Sequence, residues 1–153
     1  MNEEVIFKVV ETVRNNTIEL LKQFDESTVD VMPKGFNNTI RWNFGHLWYS
    51  QERLALFLAG FPMELPDYAE PMFKIGTKPA DWTTQPPTLA ELEQQLKAQT
   101  ARVCSTLSGQ LEKPLANPFR GLETVGQILV FSLNHEGIHN GYILALRKAI
   151  AAQ

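Results

Sequence analysis

Residues 124–149 read TVGQILVFSLNHEGIHNGYILALRKA, and this stretch carries the clearest fold signal of the chain. Thr124 is followed three residues later by Gln127, which is the capping-box pattern of a helix start. Apolar residues then recur at the three- and four-residue spacing of an α-helix up to the end of the stretch. The pattern therefore predicts a long helix that begins at Thr124 and runs to about Ala149.

Three earlier stretches carry the same periodicity. They cover about residues 2–24, 39–60 and 88–109, and the last of them opens with a second capping box, from Thr88 to Glu91. Nothing between the helices alternates for long enough to form a sheet. The predicted fold class is therefore all-α, with four long helices.

Proline is concentrated between the second and third helices. Residues 60–87 hold six of the nine prolines, which remove backbone donors and prevent a long regular element. The same segment contains Tyr68, Phe73 and Trp82, so it has enough apolar surface to pack over a pocket. Four helices with a long crossover between helices 2 and 3 predict a four-helix bundle, built as a single domain over residues 1–153.

Composition and charge exclude several classes of function. The chain has 153 residues and a net charge of −3, and its 14 basic residues are scattered among 17 acidic ones. Nucleic-acid binding needs clustered Lys and Arg, and crossing a bilayer needs about 20 apolar residues in a row, so neither partner is expected. The start of the chain lacks a secretory signal, and the single Cys104 cannot form an internal disulfide. We therefore expect a cytoplasmic protein that acts on a small molecule.

The three histidines point to a metal site. His135 and His139 lie four residues apart on the fourth helix, where their Cβ atoms are about 5–6 Å apart and both imidazoles can reach one ion. His46 lies among aromatic residues on the second helix. Three neutral imidazoles, with water in the remaining position, form an open site for a divalent ion. The alternative for each histidine taken singly is a hydrogen-bonded core residue.

The string HEGIH at residues 135–139 also matches the H-E-x-x-H pattern of zinc proteases, in which the glutamate is the general base. Only fourteen residues follow His139, and none of them is His, Asp or Glu, so the usual third ligand of those proteases is missing. We therefore predict no protease, but Glu136 remains a candidate catalytic base beside the metal. Its alternative is a solvated carboxylate on the helix surface.

Three other side chains can lie near this site. Tyr49 and Tyr142 each follow a histidine by three residues, so each can donate a hydrogen bond at the mouth of the site or simply pack there. Arg53 can bind an anionic substrate group or form a surface ion pair. Cys104 is interpreted as a small buried apolar residue rather than as a nucleophile or a ligand.

The segment WNFGHL at residues 42–47 and the pair His135-x-x-x-His139 resemble the motifs of the DinB/YfiT-like superfamily of metalloenzymes, which are small damage-inducible bundle proteins. The resemblance covers nearly the whole chain, since the length and the long connection after the second helix also agree. It implies that His46, His135 and His139 bind a divalent metal, zinc or nickel, in a bundle that often forms a homodimer.

Three functions stay open at this point. Some relatives in that superfamily look like transferases of a low-molecular-weight thiol such as bacillithiol, so the resemblance implies a metal-dependent transferase that takes such a thiol as substrate. A metal-dependent hydrolase would instead use Glu136 to activate a water molecule at the metal. The third hypothesis is a non-catalytic metal-binding protein of the stress response, in which the ion only joins helices two and four.

Overall fold

The computed structural model describes residues 2–152, so the ends of the predicted domain, Met1 and Gln153, lie outside the described residues. The helices are α1 (Glu3–Leu21), α2 (Ile40–Gln51) with a π-helical extension (Glu52–Phe57), α3 (Ala69–Phe73), a 3₁₀ turn (Pro79–Asp81), α4 (Leu89–Leu107) and α5 (Val125–Ala151). Two strands, β1 (Pro114–Phe119) and β2 (Leu122–Thr124), lie between α4 and α5. None of the helices within residues 2–152 is both long and apolar enough to cross a bilayer.

Side-chain caps begin three of the long helices where the sequence predicts them. Thr39 accepts a hydrogen bond from the backbone N–H of Trp42, and complete capping boxes open α4 at Thr88 and α5 at Thr124. Each cap satisfies a donor that the first helical turn leaves free. The residues after Leu21 close three-residue turns instead, so the first helix ends before the predicted residue 24.

The four long helices form the predicted bundle. α1 and α2 each pack against both α4 and α5, so α1 lies diagonally opposite α2 and α4 lies diagonally opposite α5. The long crossover between α2 and α4 carries α3, which packs on α2. Met72 and Phe73 of α3 are buried in the core. The crossover is therefore a packed part of the fold, as its apolar residues indicate.

The connection between α4 and α5 contains a β-hairpin that corrects the prediction of no sheet. β1 pairs antiparallel with β2, with Phe119 opposite Leu122. The two residues between them, Arg120 and Gly121, have φ angles of 51° and 77°, as in the type I′ turn that joins tight hairpins. The strands are short and β1 begins at Pro114, so no alternating pattern marks them in the sequence. The small hairpin leaves the fold class all-α.

A layer of buried polar residues divides the core into two apolar clusters. One cluster joins α2 and α3 with the C-terminal half of α5, and the other joins the π-helical extension and β1 with the N-terminal half of α5. On each long helix, buried polar residues lie in sequence between the members of the two clusters. Five of them, Arg14, Thr17, Glu52, Gln99 and Glu136, are here called the polar layer. The layer crosses the bundle at the level of His135, the neighbour of Glu136 on α5.

Candidate metal centre

The imidazole of His46 is fixed by three neighbours. Its Nδ1 lies 2.6 Å from the backbone carbonyl oxygen of Phe73. Because a carbonyl oxygen only accepts, Nδ1 carries the proton and Nε2 keeps its lone pair. Trp42 stacks on the ring with 4.6 Å between the ring centroids, and the Ser50 hydroxyl lies 3.2 Å from Nε2. The ring is therefore held in one tautomer, with Nε2 as its available ligand atom.

Gly45 allows the chain at Phe73 to come this close to α2. A Cβ atom on residue 45 would lie 2.3 Å from the ring of Phe73, which is completely buried and has no space to move aside. The missing side chain therefore permits the close packing of α3 on α2. Since Phe73 is the last residue of α3 and its carbonyl orients His46, Gly45 is part of how the fold positions this imidazole.

His139 is oriented in the same way by Asn43. Its Nδ1 lies 2.8 Å from Oδ1 of Asn43, and the amide NH₂ of Asn43 donates to the backbone carbonyl of Thr39 at 2.8 Å. The second bond decides which amide atom faces the imidazole, because only the NH₂ group can donate to a carbonyl. Nδ1 of His139 therefore carries its proton, and Nε2 is left with a lone pair.

The structure brings the three predicted histidines together. The centroids of their rings lie 4.6–5.2 Å apart, and one nitrogen from each ring lies within 4.8 Å of the others. His46 is buried, whereas His135 and His139 are half-buried. Two helices of the bundle, α2 and α5, thus supply a cluster of three imidazoles that can hold one metal ion.

All three imidazoles are neutral at physiological pH. Burial lowers the pKa of His46, although the hydrogen bond to the Phe73 carbonyl opposes this change. Burial, aided by the nearby His46, lowers the pKa of His135 to about 4 and that of His139 to about 3. A neutral imidazole is the form that binds a metal, so the cluster needs no deprotonation before an ion enters.

A pocket of about 250 Å³ opens beside the cluster. His46 and His135 line it, and Tyr49, Ser50 and Arg53 do so from α2 and its π-helical extension. No Asp or Glu among residues 2–152 belongs to its wall. The predicted positions of Tyr49 and Arg53 near the site are therefore confirmed, and the cluster is open to a ligand.

Tyr142 and Cys104 lie away from this pocket. The ring of Tyr142 packs edge-on against Phe36, with 5.4 Å between the ring centroids, and its side chain is not part of the pocket wall. Of the two alternatives that the sequence leaves for Tyr142, packing is the one that the structure shows. Cys104 is half-buried beside the second apolar cluster, and burial raises the pKa of its thiol, which fits the apolar interpretation.

Glu136 is part of the polar layer and not a surface residue. Its side chain is almost completely buried, and both of its carboxylate oxygens are bound by Arg14, at 2.9 Å from Nε and 3.0 Å from Nη2. The hydroxyl of Thr17 donates to the same carboxylate. The alternative of a solvated carboxylate is therefore wrong. The role of general base stays a prediction, and a carboxylate already bound on both oxygens is poorly placed to accept a proton from water.

Several contributors to the site were missed in the sequence. Asn43 and Gly45 lie in the segment next to His46, but their roles depend on α5 and α3, which only the fold brings near. The π-helical extension and the hairpin residues Phe119 and Arg120 also line the pocket. The positive φ that Gly121 favours was the one available sign of a tight turn.

Comparison with known proteins agrees with this architecture. The family model described as the DinB superfamily matches residues 10–143. The solved structure of a conserved protein from Enterococcus faecalis is similar over 100% of this chain and 99% of its own, with a TM-score of 0.70 and 16% sequence identity, which shows a shared fold. No curated protein matches significantly. Since the family model covers most of the chain, including the three-histidine cluster, the protein belongs to the DinB superfamily.

Proposed function

We propose that this protein is a divalent-metal-dependent enzyme that transfers a low-molecular-weight thiol of the bacillithiol type to an electrophile. The observation that carries the proposal is an open cluster of three neutral imidazoles beside a pocket without carboxylates. An ion that serves only to join helices would have a closed set of protein ligands, whereas a catalytic site keeps an open position.

The donor set fits a divalent transition metal. His46 and His139 would bind it through Nε2, because a carbonyl or amide oxygen holds the proton on Nδ1 of each ring. His135 would supply the third imidazole from the same face of α5. Imidazole is a suitable type of ligand for both zinc and nickel, so the ligand type alone does not distinguish the two ions. When bound, such an ion lowers the pKa of a thiol that coordinates it, so that the nucleophilic thiolate forms near neutral pH.

The surrounding side chains favour thiol chemistry over hydrolysis. Hydrolysis benefits from a base that takes a proton from water, but the pocket wall has no carboxylate and Glu136 is engaged by Arg14. A thiol with a lowered pKa loses its proton to solvent and needs no such base. The sulfur then forms a bond to the electrophilic carbon while the leaving group departs with its electron pair. Phe119 and Phe131 offer apolar contacts for the electrophile.

The first experiment measures metal content per chain on protein purified without a histidine tag. We expect near-stoichiometric zinc or nickel in the native chain and in the control Tyr142→Phe, which changes an exposed residue of the same helix. His139→Ala should lose the metal. Asn43→Ala should keep the ligands but bind the ion about 10–100-fold more weakly, because the oxygen that orients His139 is gone. A native chain that is metal-free and cannot be reloaded would refute the proposal.

The second experiment follows conjugation of bacillithiol to monochlorobimane. Turnover should require the metal and disappear in His139→Ala, while Glu136→Gln should remain active at temperatures where it is folded. If Glu136→Gln instead abolishes a metal-dependent hydrolysis, the hydrolase hypothesis is the better one. A metal that raises the unfolding temperature but supports no turnover with any thiol would favour the non-catalytic alternative.

The expected homodimer and the expected cytoplasmic location stay predictions. Sedimentation velocity on the metal-loaded chain measures the first, and fractionation of the source cells measures the second. Neither result changes the assignment of the ligands, since His46 and His139 with their orienting partners all come from one chain.

A further inference from the structure

Three cationic side chains line the pocket beside the histidines. Arg53 comes from the π-helical extension, Lys74 from the residue after α3, and Arg120 from the turn of the hairpin. The pocket wall therefore carries three positive charges and no negative one, in a chain whose net charge is −3. Three elements that are distant in sequence thus give the pocket a local excess of positive charge, although the chain as a whole is negatively charged.

Two of the three cations lack an anionic partner within the described residues. Lys74 forms an ion pair with Glu70, with 2.9 Å between Nζ and Oε1. Neither Arg53 nor Arg120 forms an ion pair with any other residue in the range 2–152. The guanidinium carbon of Arg120 lies 5.4 Å from the ring centroid of Phe119, which is itself a wall residue. Two guanidinium groups thus remain available for an anion, and a guanidinium can bind a carboxylate or a phosphate with two parallel hydrogen bonds.

Arg120 occupies an unfavourable backbone position. It is the sole non-glycine residue among residues 2–152 with a positive φ, and the first position of a type I′ turn favours Asn or Gly. Its left-handed conformation is less favourable for arginine than for those residues. Such a conformation places the long cationic side chain where the turn borders the pocket, and no ion pair within the described chain compensates for it.

Most of the remaining wall is apolar. Leu54, Ile75, Phe119 and Phe131 contribute to it, and Ile75 is 82% exposed. An exposed isoleucine next to aromatic side chains suits an apolar ligand body better than it suits water. The pocket therefore brings apolar side chains, guanidinium groups and imidazoles together in one wall.

We propose that this pocket binds an organic anion, a carboxylate or a phosphate ester, whose headgroup is held by Arg53 and Arg120 and whose apolar body contacts Phe119 and Phe131. The bound anion places its far end toward the histidine cluster. That orientation, with the reacting sulfur or electrophile at the cluster, rests on the proposed thiol transfer. The anion site itself depends only on the pocket residues.

The test uses the full chain without metal, so that it is independent of the metal and of turnover. The probes share one apolar body and differ in headgroup: 3-phenylpropanoate, 2-phenylethyl phosphate and the neutral 3-phenylpropanamide. Affinities are measured by ligand-observed nuclear magnetic resonance at low and high salt. We expect at least one anion to bind better than the amide and to weaken with salt. The preferred anion identifies which headgroup the pocket takes.

Variants identify the residues responsible. Arg53→Gln and Arg120→Asn should each weaken the preferred anion by about tenfold and leave the amide unchanged, because each removes one charge-assisted contact at a partly exposed site. Arg120→Asn should also raise the thermal unfolding midpoint, which shows that the chain is folded. Arg147→Gln, which removes a guanidinium that binds Gln23 elsewhere, should change neither affinity.

Three results would overturn the proposal. The first is equal binding of anions and amide by the native chain, and the second is no binding of any probe at millimolar concentration. The third is loss of anion affinity in Arg147→Gln as large as in Arg53→Gln, which would indicate nonspecific attraction. Failure of thiol transfer with intact anion binding would refute the proposed function alone.

Discussion

His135 and Glu136 are neighbours on α5, but they lie in two different kinds of polar environment. Glu136 is 2% exposed, and Arg14 and Thr17 satisfy its carboxylate completely. His135 is half-buried at the pocket and packs against the rings of His46 and His139. A buried polar group that the protein itself satisfies is structural, whereas imidazoles left with free lone pairs beside a pocket indicate a place for a ligand.

Together with Arg102, which pairs with Glu52, the polar layer is also balanced in charge. Arg14 binds Glu136 and donates to Gln99, and the amide of Gln99 donates to Glu52, which is paired with Arg102. Two carboxylates thus face two guanidinium groups across the bundle. The two anchored imidazoles of the histidine cluster are instead bound through Nδ1 and direct Nε2 to the site, where the hydroxyl of Ser50 lies 3.2 Å from Nε2 of His46.

Breaking the polar layer should have the largest effect on stability. Arg14→Met leaves Glu136 buried without its cation, and we expect the free energy of unfolding to fall by about 3–5 kcal/mol. Urea denaturation of the metal-free chain measures the change. His135→Ala should cost no more than about 1 kcal/mol in the same experiment, since the half-buried imidazole supports the fold only by ring packing.

The double variant Arg14→Met/Glu136→Met is the control for this prediction. It replaces both charges by apolar groups of similar volume and should recover most of the lost stability. If the double variant is as unstable as Arg14→Met, the instability of Arg14→Met does not come from the uncompensated charge of Glu136.

Adding metal should act on the histidine cluster and not on the polar layer. Free zinc or nickel at about 100 times its Kd should raise the free energy of unfolding of the native chain by about 2.7 kcal/mol. His139→Ala should show no such gain, and Arg14→Met should show it in full if it folds. Calorimetric unfolding with and without a chelator measures all three. An equal gain in His139→Ala would show that the ion binds elsewhere.

The sequence predicted the parts of this comparison that depend on local patterns. Capping boxes at Thr88 and Thr124 and helical periodicity specified the long helices, because these signals lie within one helix. The spacing of His135 and His139 placed both on one side of α5, and the position of His46 among aromatic residues on the second helix made it the candidate third ligand, in agreement with the resemblance. The prediction that they meet at one point is confirmed.

The missed features depend on contacts between distant segments. The sequence around Glu136 is also compatible with a carboxylate on the helix surface. Its burial depends on the ion pair with Arg14, which lies 122 residues away in the sequence. Asn43 orients His139 from 96 residues away, and the hairpin that carries Arg120 is too short to show alternation. Sequence patterns report which face of a helix a residue occupies but not which partner reaches it there.

Filling Gly45 tests how the fold holds the open cluster. Gly45→Ala forces a Cβ into the ring of Phe73, and we expect the free energy of unfolding to fall by about 1–3 kcal/mol. The displaced α3 should also carry its carbonyl away from His46, so metal affinity should fall with stability. Titration with a competing chelator measures the affinity. Unchanged metal binding in a destabilised Gly45→Ala would show that the Phe73 carbonyl does not position the ligand.

Gly141→Ala is the matched change on α5, and its effect should be small and of opposite sign. A Cβ at residue 141 meets nothing within 4 Å, and the residue lies inside a helix, where alanine restricts the unfolded chain more than glycine does. We expect a gain of about 0.4–1 kcal/mol in urea denaturation and no change in metal affinity, although His139 is only two residues away. A loss of affinity in Gly141→Ala would mean that the ligands on α5 depend on flexibility of that helix. The two variants together test two different roles of glycine. The site requires the close packing that Gly45 permits, but it does not require the backbone flexibility that Gly141 adds.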